Sequence, residues 1–239
     1  MRYMSPRQKA IVLLSGGLDS TVSLAWAVRE YNVTRAIFVG YGHKASRMEA
    51  TSVTAIASRC KVEVSHIRLP FFAQLCRSYE AINIHTTADS SERPSEATDG
   101  LLSVWVPNRN MVLVSIAAAF AEALGCEVVV AGFNVEEAEQ FPDNSDEFVA
   151  RMNSALELST LSSVRLMCPL IGLRKAEILK MGIALEAPVE LIYSCYEGNE
   201  TMCGECMSCL RLKKAISELC ASDGLTGELK GKMNRRFLK

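Results

Sequence analysis

Apolar residues along this chain recur in two alternating periods. Lys9 to Leu14 is a short apolar run and reads as a buried strand. Thr21 to Tyr31 follows as a helix, with Trp26, Ala27 and Val28 among its apolar residues. Thr34 to Val39 reads as a second strand, and Arg47 to Cys60 as a helix carrying Met48, Val53, Ile56 and Ala57. Lys61 to Leu69 alternates apolar and polar residues, as a half-buried strand does. Further on, Arg109 to Leu124 is a strongly apolar helix expected to lie buried between layers, and Glu127 to Ala131 is another buried strand. Asp146 to Leu158 has the pattern of an amphipathic helix, Arg165 to Pro169 of a short strand, and Arg174 to Met181 and Leu210 to Leu219 of helices. Thr86 to Gly100 is polar and without period, which reads as a long loop. Strands alternating with helices predict a Rossmann-like α/β fold, a parallel sheet flanked by crossover helices.

Length and charge narrow the class. The chain has 239 residues, enough for one large α/β domain over residues 1–185 with a small appendage over 186–239. Its net charge is −1 and aromatics make up 7% of it, which weighs against a nucleic-acid platform or a membrane surface. The longest apolar stretch, Met111 to Leu124, is interrupted by Ser115 and Glu122 and falls short of the ~20 residues of a membrane span. No segment reads as a secretion signal, so a cytoplasmic protein is expected. The basic stretch Lys230 to Lys239 reads as a solvated C-terminus.

The first strand runs into Ser15-Gly16-Gly17-Leu18-Asp19-Ser20 ahead of a helix. There, backbone N–H groups and the helix N-terminus make an anion site, and the glycines let the backbone approach a pyrophosphate. The lysine of a Walker A loop and the glycine spacing of a dinucleotide fingerprint are both missing. Leu14, Ser15, Gly16, Gly17, Leu18, Asp19, Ser20 and Thr21 are therefore the candidate phosphate-binding residues. A carboxylate beside a phosphate needs a cation, which assigns Asp19 to magnesium.

Of nine cysteines, four cluster as Cys195, Cys203, Cys206 and Cys209. Two C-x-x-C steps sharing Cys206 let the backbone wrap one tetrahedral ion, and zinc is the default. An iron–sulfur cluster is the rival, but it calls for a further cysteine followed by proline, where a helix is expected here.

The loop resembles the PP-loop of the ATP pyrophosphatases, which split ATP between its α and β phosphates. Pro169-Leu170 followed by Leu173-Arg174-Lys175-Ala176-Glu177-Ile178 looks like their second element, in which a lysine at the start of a late helix meets the phosphates. By position that residue is Lys175. With Val106-Pro107-Asn108-Arg109-Asn110, Phe141-Pro142-Asp143 and Ser194-Cys195-Tyr196 leading into the cysteines, nearly the whole chain is similar to the 7-cyano-7-deazaguanine synthase family.

That resemblance implies two ATP-driven activations of 7-carboxy-7-deazaguanine with ammonia, first to the amide and then to the nitrile. It also implies a homodimer. Catalytic roles fall to Asp19, Lys175, Arg109 and His43, and an acceptor pocket to Tyr41, Arg109, Asn110, Phe133, Phe141 and Asp143. Arg109 suits a carboxylate or an α-phosphate. The aromatic residues suit a purine-like ring, and Asp143 its N1–H and 2-amino edge. Each has a plain alternative: a salt bridge for Arg109, helix caps for Asn110, Asp143 and His43, core packing for the aromatics. Where the common bacterial pattern carries Asp, Gln, Gly, Tyr and Cys, this chain has Gly40, His43, Asn108, Phe141 and Asn144. Other functions weighed are a relative that stops at the amide or conjugates the acyl group to another amine, such as one on a protein, a tRNA-modifying thiolase, and a zinc-bearing binding module.

Overall fold

A computed structural model describes residues 7–75, 105–221 and 227–237. The expected loop Thr86 to Gly100 lies outside them. Five strands form one parallel sheet: β1 (Lys9–Leu13), β2 (Asn32–Gly40), β3 (Val64–Arg68), β4 (Val128–Val130) and β5 (Arg165–Met167). Their order is β3-β2-β1-β4-β5, each pair parallel. The helices are α1 (Leu18–Glu30), α2 (Ser46–Cys60), α3 (Arg109–Ala123), α4 (Val135–Ala138), α5 (Asp146–Ser159), α6 (Lys175–Ala184), α7 (Met207–Ala221) and α8 (Gly227–Asn234). Every expected strand and helix among the described residues is present, with ends shifted by a few residues.

The period-2 geometry of the strands separates two cores. Ala10 and Val12 of β1 and Val128 and Val130 of β4 face one side, with Val22 of α1, Ile56 of α2, Ile178 of α6 and Leu212 of α7. Ile11, Ile37 and Val129 face the other, with Val114 and Ala118 of α3 and Met152 and Leu156 of α5. The strand order reverses between β1 and β4, which opens a crevice at their carboxyl ends. Gly132, just past β4, lies so close to α1 there that an added Cβ would sit 2.8 Å from the Asp19 carbonyl carbon.

Two expectations need correction. Helix α3 is not buried between layers: Val114, Ala117, Ala118 and Ala121 pack on the sheet while Met111 and Ser115 are exposed. Its apolar residues run all round, so the sequence period could not mark an outer face. The basic stretch is not a solvated tail either. Residues 227–234 are helical, Met233 and Phe237 are buried, and Met202 pairs with Phe237. The Arg236 guanidinium donates to the Ile192 carbonyl at 2.8 Å, and the Lys213 ammonium sits 5.1 Å from the Phe237 ring centroid. The two buried side chains escaped notice because charged residues outnumber them.

Among the described residues no helix is long and apolar enough to cross a membrane. Phe237→Ala should lower stability by about 3 kcal/mol, the cost of truncating a buried phenylalanine. Thermal denaturation checks this, and an unchanged midpoint would return the segment to solvent.

Candidate active site and four-cysteine cluster

The glycine-rich loop follows β1 and opens α1. Gly16 takes φ 83°, a conformation glycine adopts without strain, and Gly17 is an extended N-cap. No side chain caps α1. Ser15 Oγ and Ser20 Oγ are 3.0 Å apart, and Ser20 Oγ and Thr21 Oγ1 donate to the Gly17 carbonyl at 3.2 and 2.7 Å. These bonds fix the turn. Leu14, Leu18 and Thr21 bury their side chains, so they can serve a ligand only through backbone.

Asp19 points to a buried charge cluster. The Lys175 ammonium, at the first turn of α6, donates to Asp19 Oδ2 and, at 3.0 Å, to Glu137 Oε1. Asn134 Nδ2 donates to Asp19 Oδ2 at 3.3 Å, and the Lys175 backbone N–H to Glu136 Oε1 at 2.9 Å. Asp19 Oδ1 is enclosed and has no partner. Burial raises the Asp19 carboxyl to about 6 against the pull of Lys175. Burial would lower Lys175, but Asp19 and Glu137 outweigh it and hold the ammonium charged. An unpartnered carboxylate oxygen beside a phosphate-type loop fits a divalent cation.

Sequence reasoning missed Glu137 and Asn134. Their spacing did hold a signal: Asn134 caps α4 by accepting from the Glu137 N–H at 3.1 Å, the first half of a capping box.

Next to this cluster lie the acceptor candidates. Asn108 takes φ 59°, the left-handed region asparagine tolerates, where the bacterial pattern has glycine. Arg109 starts α3 with Tyr41 as hydrogen-bond partner. Its burial would lower its pKa, but Tyr41, Glu137 and Asp143 hold it charged. Asn110 is buried, and its Nδ2 donates to the Asp143 carbonyl at 3.1 Å. Asn144 Nδ2 donates to Asp143 Oδ1 at 3.0 Å. Burial pushes the Asp143 carboxyl up, with Arg109 opposing.

The Tyr41 ring lies 4.1 Å from that of His43, whose Nε2 meets Glu49 Oε2 at 2.7 Å while Nδ1 is enclosed without a partner. Glu49, on α2, was missed because a glutamate on a helix carries no distinguishing pattern. Phe141 stacks on Trp105. Phe133 is not brought to this group. It is buried in the core beneath α3 and α5, edge-on to Phe148, because it turns to the face of the sheet that these helices cover.

The four clustered cysteines converge. Their Sγ atoms all lie within 4.8 Å of one another, and those of Cys203 and Cys209 are 3.9 Å apart. Tetrahedral Zn–S bonds of about 2.3 Å call for sulfur spacings near 3.8 Å. Backbone N–H groups of Glu197 and Cys203 donate to the Cys195 sulfur, and those of Glu205 and Cys206 to the Cys203 sulfur, at 3.3 to 3.4 Å. Burial would raise Cys203, but the donors prevail and bring it down to about 7. Four such sulfurs fit a closed zinc site. Among the described residues, Cys60, Cys126, Cys168 and Cys220 stand outside it.

A family model described as "Queuosine biosynthesis protein QueC" matches residues 9–220. A 7-cyano-7-deazaguanine synthase of Carboxydothermus hydrogenoformans is 46% identical over 87% of this chain and 98% of its own. One from Pelotomaculum thermopropionicum is 44% identical over 87% and 96%. Among solved structures, a 4-thiouridine synthetase–RNA complex with bound ATP matches 96% of this chain and 53% of its own, at 16% identity and a TM-score of 0.48. With a family model spanning most of its length and relatives this similar, the chain belongs to the QueC family of queuosine biosynthesis proteins.

Proposed function

We propose that this chain is a 7-cyano-7-deazaguanine synthase, which uses ATP to convert 7-carboxy-7-deazaguanine and ammonia into the nitrile. The observation that carries this reading is the buried Asp19–Lys175–Glu137 cluster at the mouth of the glycine-rich loop, in a chain of this family.

A carboxylate oxygen does not leave unaided. Attack of the acid's carboxylate on the α-phosphorus of ATP expels pyrophosphate and gives an acyl adenylate. Backbone N–H groups of the glycine-rich loop and the Lys175 ammonium would hold the phosphates. Asp19, with Glu137 beside it, would hold the magnesium ion that neutralises phosphate charge. Arg109 is a buried guanidinium suited to the substrate carboxylate, and Tyr41 and Asn110 fix its position.

Ammonia then adds at the carbonyl carbon, and AMP leaves with the former acid oxygen. In the second round the amide oxygen attacks a new α-phosphorus. The carbon–oxygen bond breaks as AMP departs, and the nitrogen sheds both protons. His43 is the base assigned to these protons: Glu49 holds Nε2, and Nδ1 carries no other bond. Cys195, Cys203, Cys206 and Cys209 would hold a zinc ion, and four thiolates would leave it a structural role, folding the knuckle.

Supplied with ATP, magnesium, ammonium and 7-carboxy-7-deazaguanine, the protein should form AMP and nitrile in a ratio near two to one, read by nucleotide analysis and product mass. Product that stops at the amide would refute the nitrile assignment. Asp19→Ala should abolish AMP release with an unchanged circular dichroism spectrum, and retained activity would remove its cation role. Cys206→Ser should lose zinc in elemental analysis and melt at lower temperature, whereas unchanged metal content would reject the four-sulfur site.

A further inference from the structure

Trp105 has no part in the chemistry above. Its indole is stacked with the Phe141 ring, centroids 5.5 Å apart and planes 15° from parallel, and both side chains are half-buried. An aromatic pair left partly open beside charged groups is a surface for a planar ligand.

The neighbours define that ligand. Trp105 lies on the segment that leads into Arg109, and Phe141 on the segment that carries Asp143. The two segments are joined a second time by the Asn110 side chain, which donates to the Asp143 carbonyl at 3.1 Å. The backbone turn from Val106 to Arg109, closed at 3.2 Å, ties the residue after Trp105 to the start of α3, where Arg109 stands. Aromatic plane, carboxylate and guanidinium are thus tied into one unit. Its complement is a flat heterocycle with paired N–H donors on one edge and an anionic group on another.

We propose that Trp105 is the stacking surface for the deazaguanine ring of the acceptor acid, with Phe141 holding the plane of the indole. The Asp143 carboxylate takes the N1–H and 2-amino edge, and Arg109 the carboxylate. Stacking supplies affinity for any flat base, and the edge contacts select this one. This rests on the reading that a deazaguanine acid is the substrate. It adds a binding residue whose ring partner, Phe141, leads into the acceptor-side Asp143, so its loss should act on the acid and not on ATP.

The chain has two tryptophans, and the other, Trp26, packs edge-on to Tyr31 at 5.7 Å. Trp26→Phe therefore leaves Trp105 as the only indole reporter. Titrating this variant with 7-carboxy-7-deazaguanine, without ATP, should quench its fluorescence to saturation, while ATP alone leaves it unchanged. Trp105→Leu should raise KM for the acid about tenfold to a hundredfold, with KM for ATP unaltered. Trp105→Phe should recover most of the loss.

The proposal is overturned if the acid does not quench, if ATP quenches in its place, or if Trp105→Leu leaves KM for the acid unchanged. A wild-type protein that releases no AMP with the acid would remove the functional reading instead, and the titration, which needs no turnover, would still decide the stacking.

Discussion

One ammonium shared by two carboxylates in the interior sets the geometry on which the rest of this site depends. Lys175 comes from α6, Asp19 from the glycine-rich loop and α1, and Glu137 from the short helix after β4. Removing one partner of such a buried group leaves an uncompensated charge, which typically costs about 3–5 kcal/mol. The three elements are therefore fixed together before any ligand arrives. Asn134 and Glu136 add neutral and backbone bonds at the same point. Asp19 Oδ1 is the enclosed oxygen without a partner in this cluster, which is why the proposed cation role falls to Asp19 and not to the better-paired Glu137.

The segment after α6 secures the loop from behind. The Tyr193 backbone N–H donates to the Gly16 carbonyl at 2.8 Å, and the Ser52 hydroxyl of α2 donates to the Leu191 carbonyl. Two residues past Tyr193 the chain enters the four-cysteine cluster at Cys195. Arg211, one turn into α7, reaches Gln140 beyond α4, and Lys44 before α2 meets Glu197 at 3.1 Å. The four-cysteine knuckle thus touches both rims of the crevice, and the C-terminal strap at Phe237 pairs with it at Met202. Loss of the metal would act on the glycine-rich loop through Tyr193, with no need for zinc to take part in chemistry.

Much of this was legible because it is local. Strand period found β1 to β5, and the glycine pattern found the loop. The spacing of four cysteines found the cluster, and the position of Lys175 at the start of a helical run singled out the ammonium that reaches Asp19. What stayed hidden depends on long-range approach. Glu137 stands among Glu136 and Glu139, and nothing in that run says which carboxylate turns inward until β4 and α6 are placed. Trp105 borders a polar stretch and gains its meaning only when Phe141, far along the chain, stacks on it. Phe133 misled because aromatic character alone does not tell which face of the sheet a residue beyond a strand will take. Met233 and Phe237 were masked by the lysines and arginines around them.

The acceptor and phosphate sides are a single charge network. Glu137 lies close to Lys175 on one side and Arg109 on the other, and these cations bring its pKa down against the upward push of burial. Arg109 in turn answers Tyr41, Glu137 and Asp143. Under the proposed assignment, a phosphate drawn to Lys175 would compete with Glu137 for the same ammonium, and a carboxylate drawn to Arg109 would compete with Glu137 for the same guanidinium. Each anionic substrate would then disturb the residue that stands between them. In a low-dielectric interior such coupling is strong at short range and falls away in solvent. The burial of this cluster, more than any single contact in it, would let the two substrates of the proposed reaction act on one another.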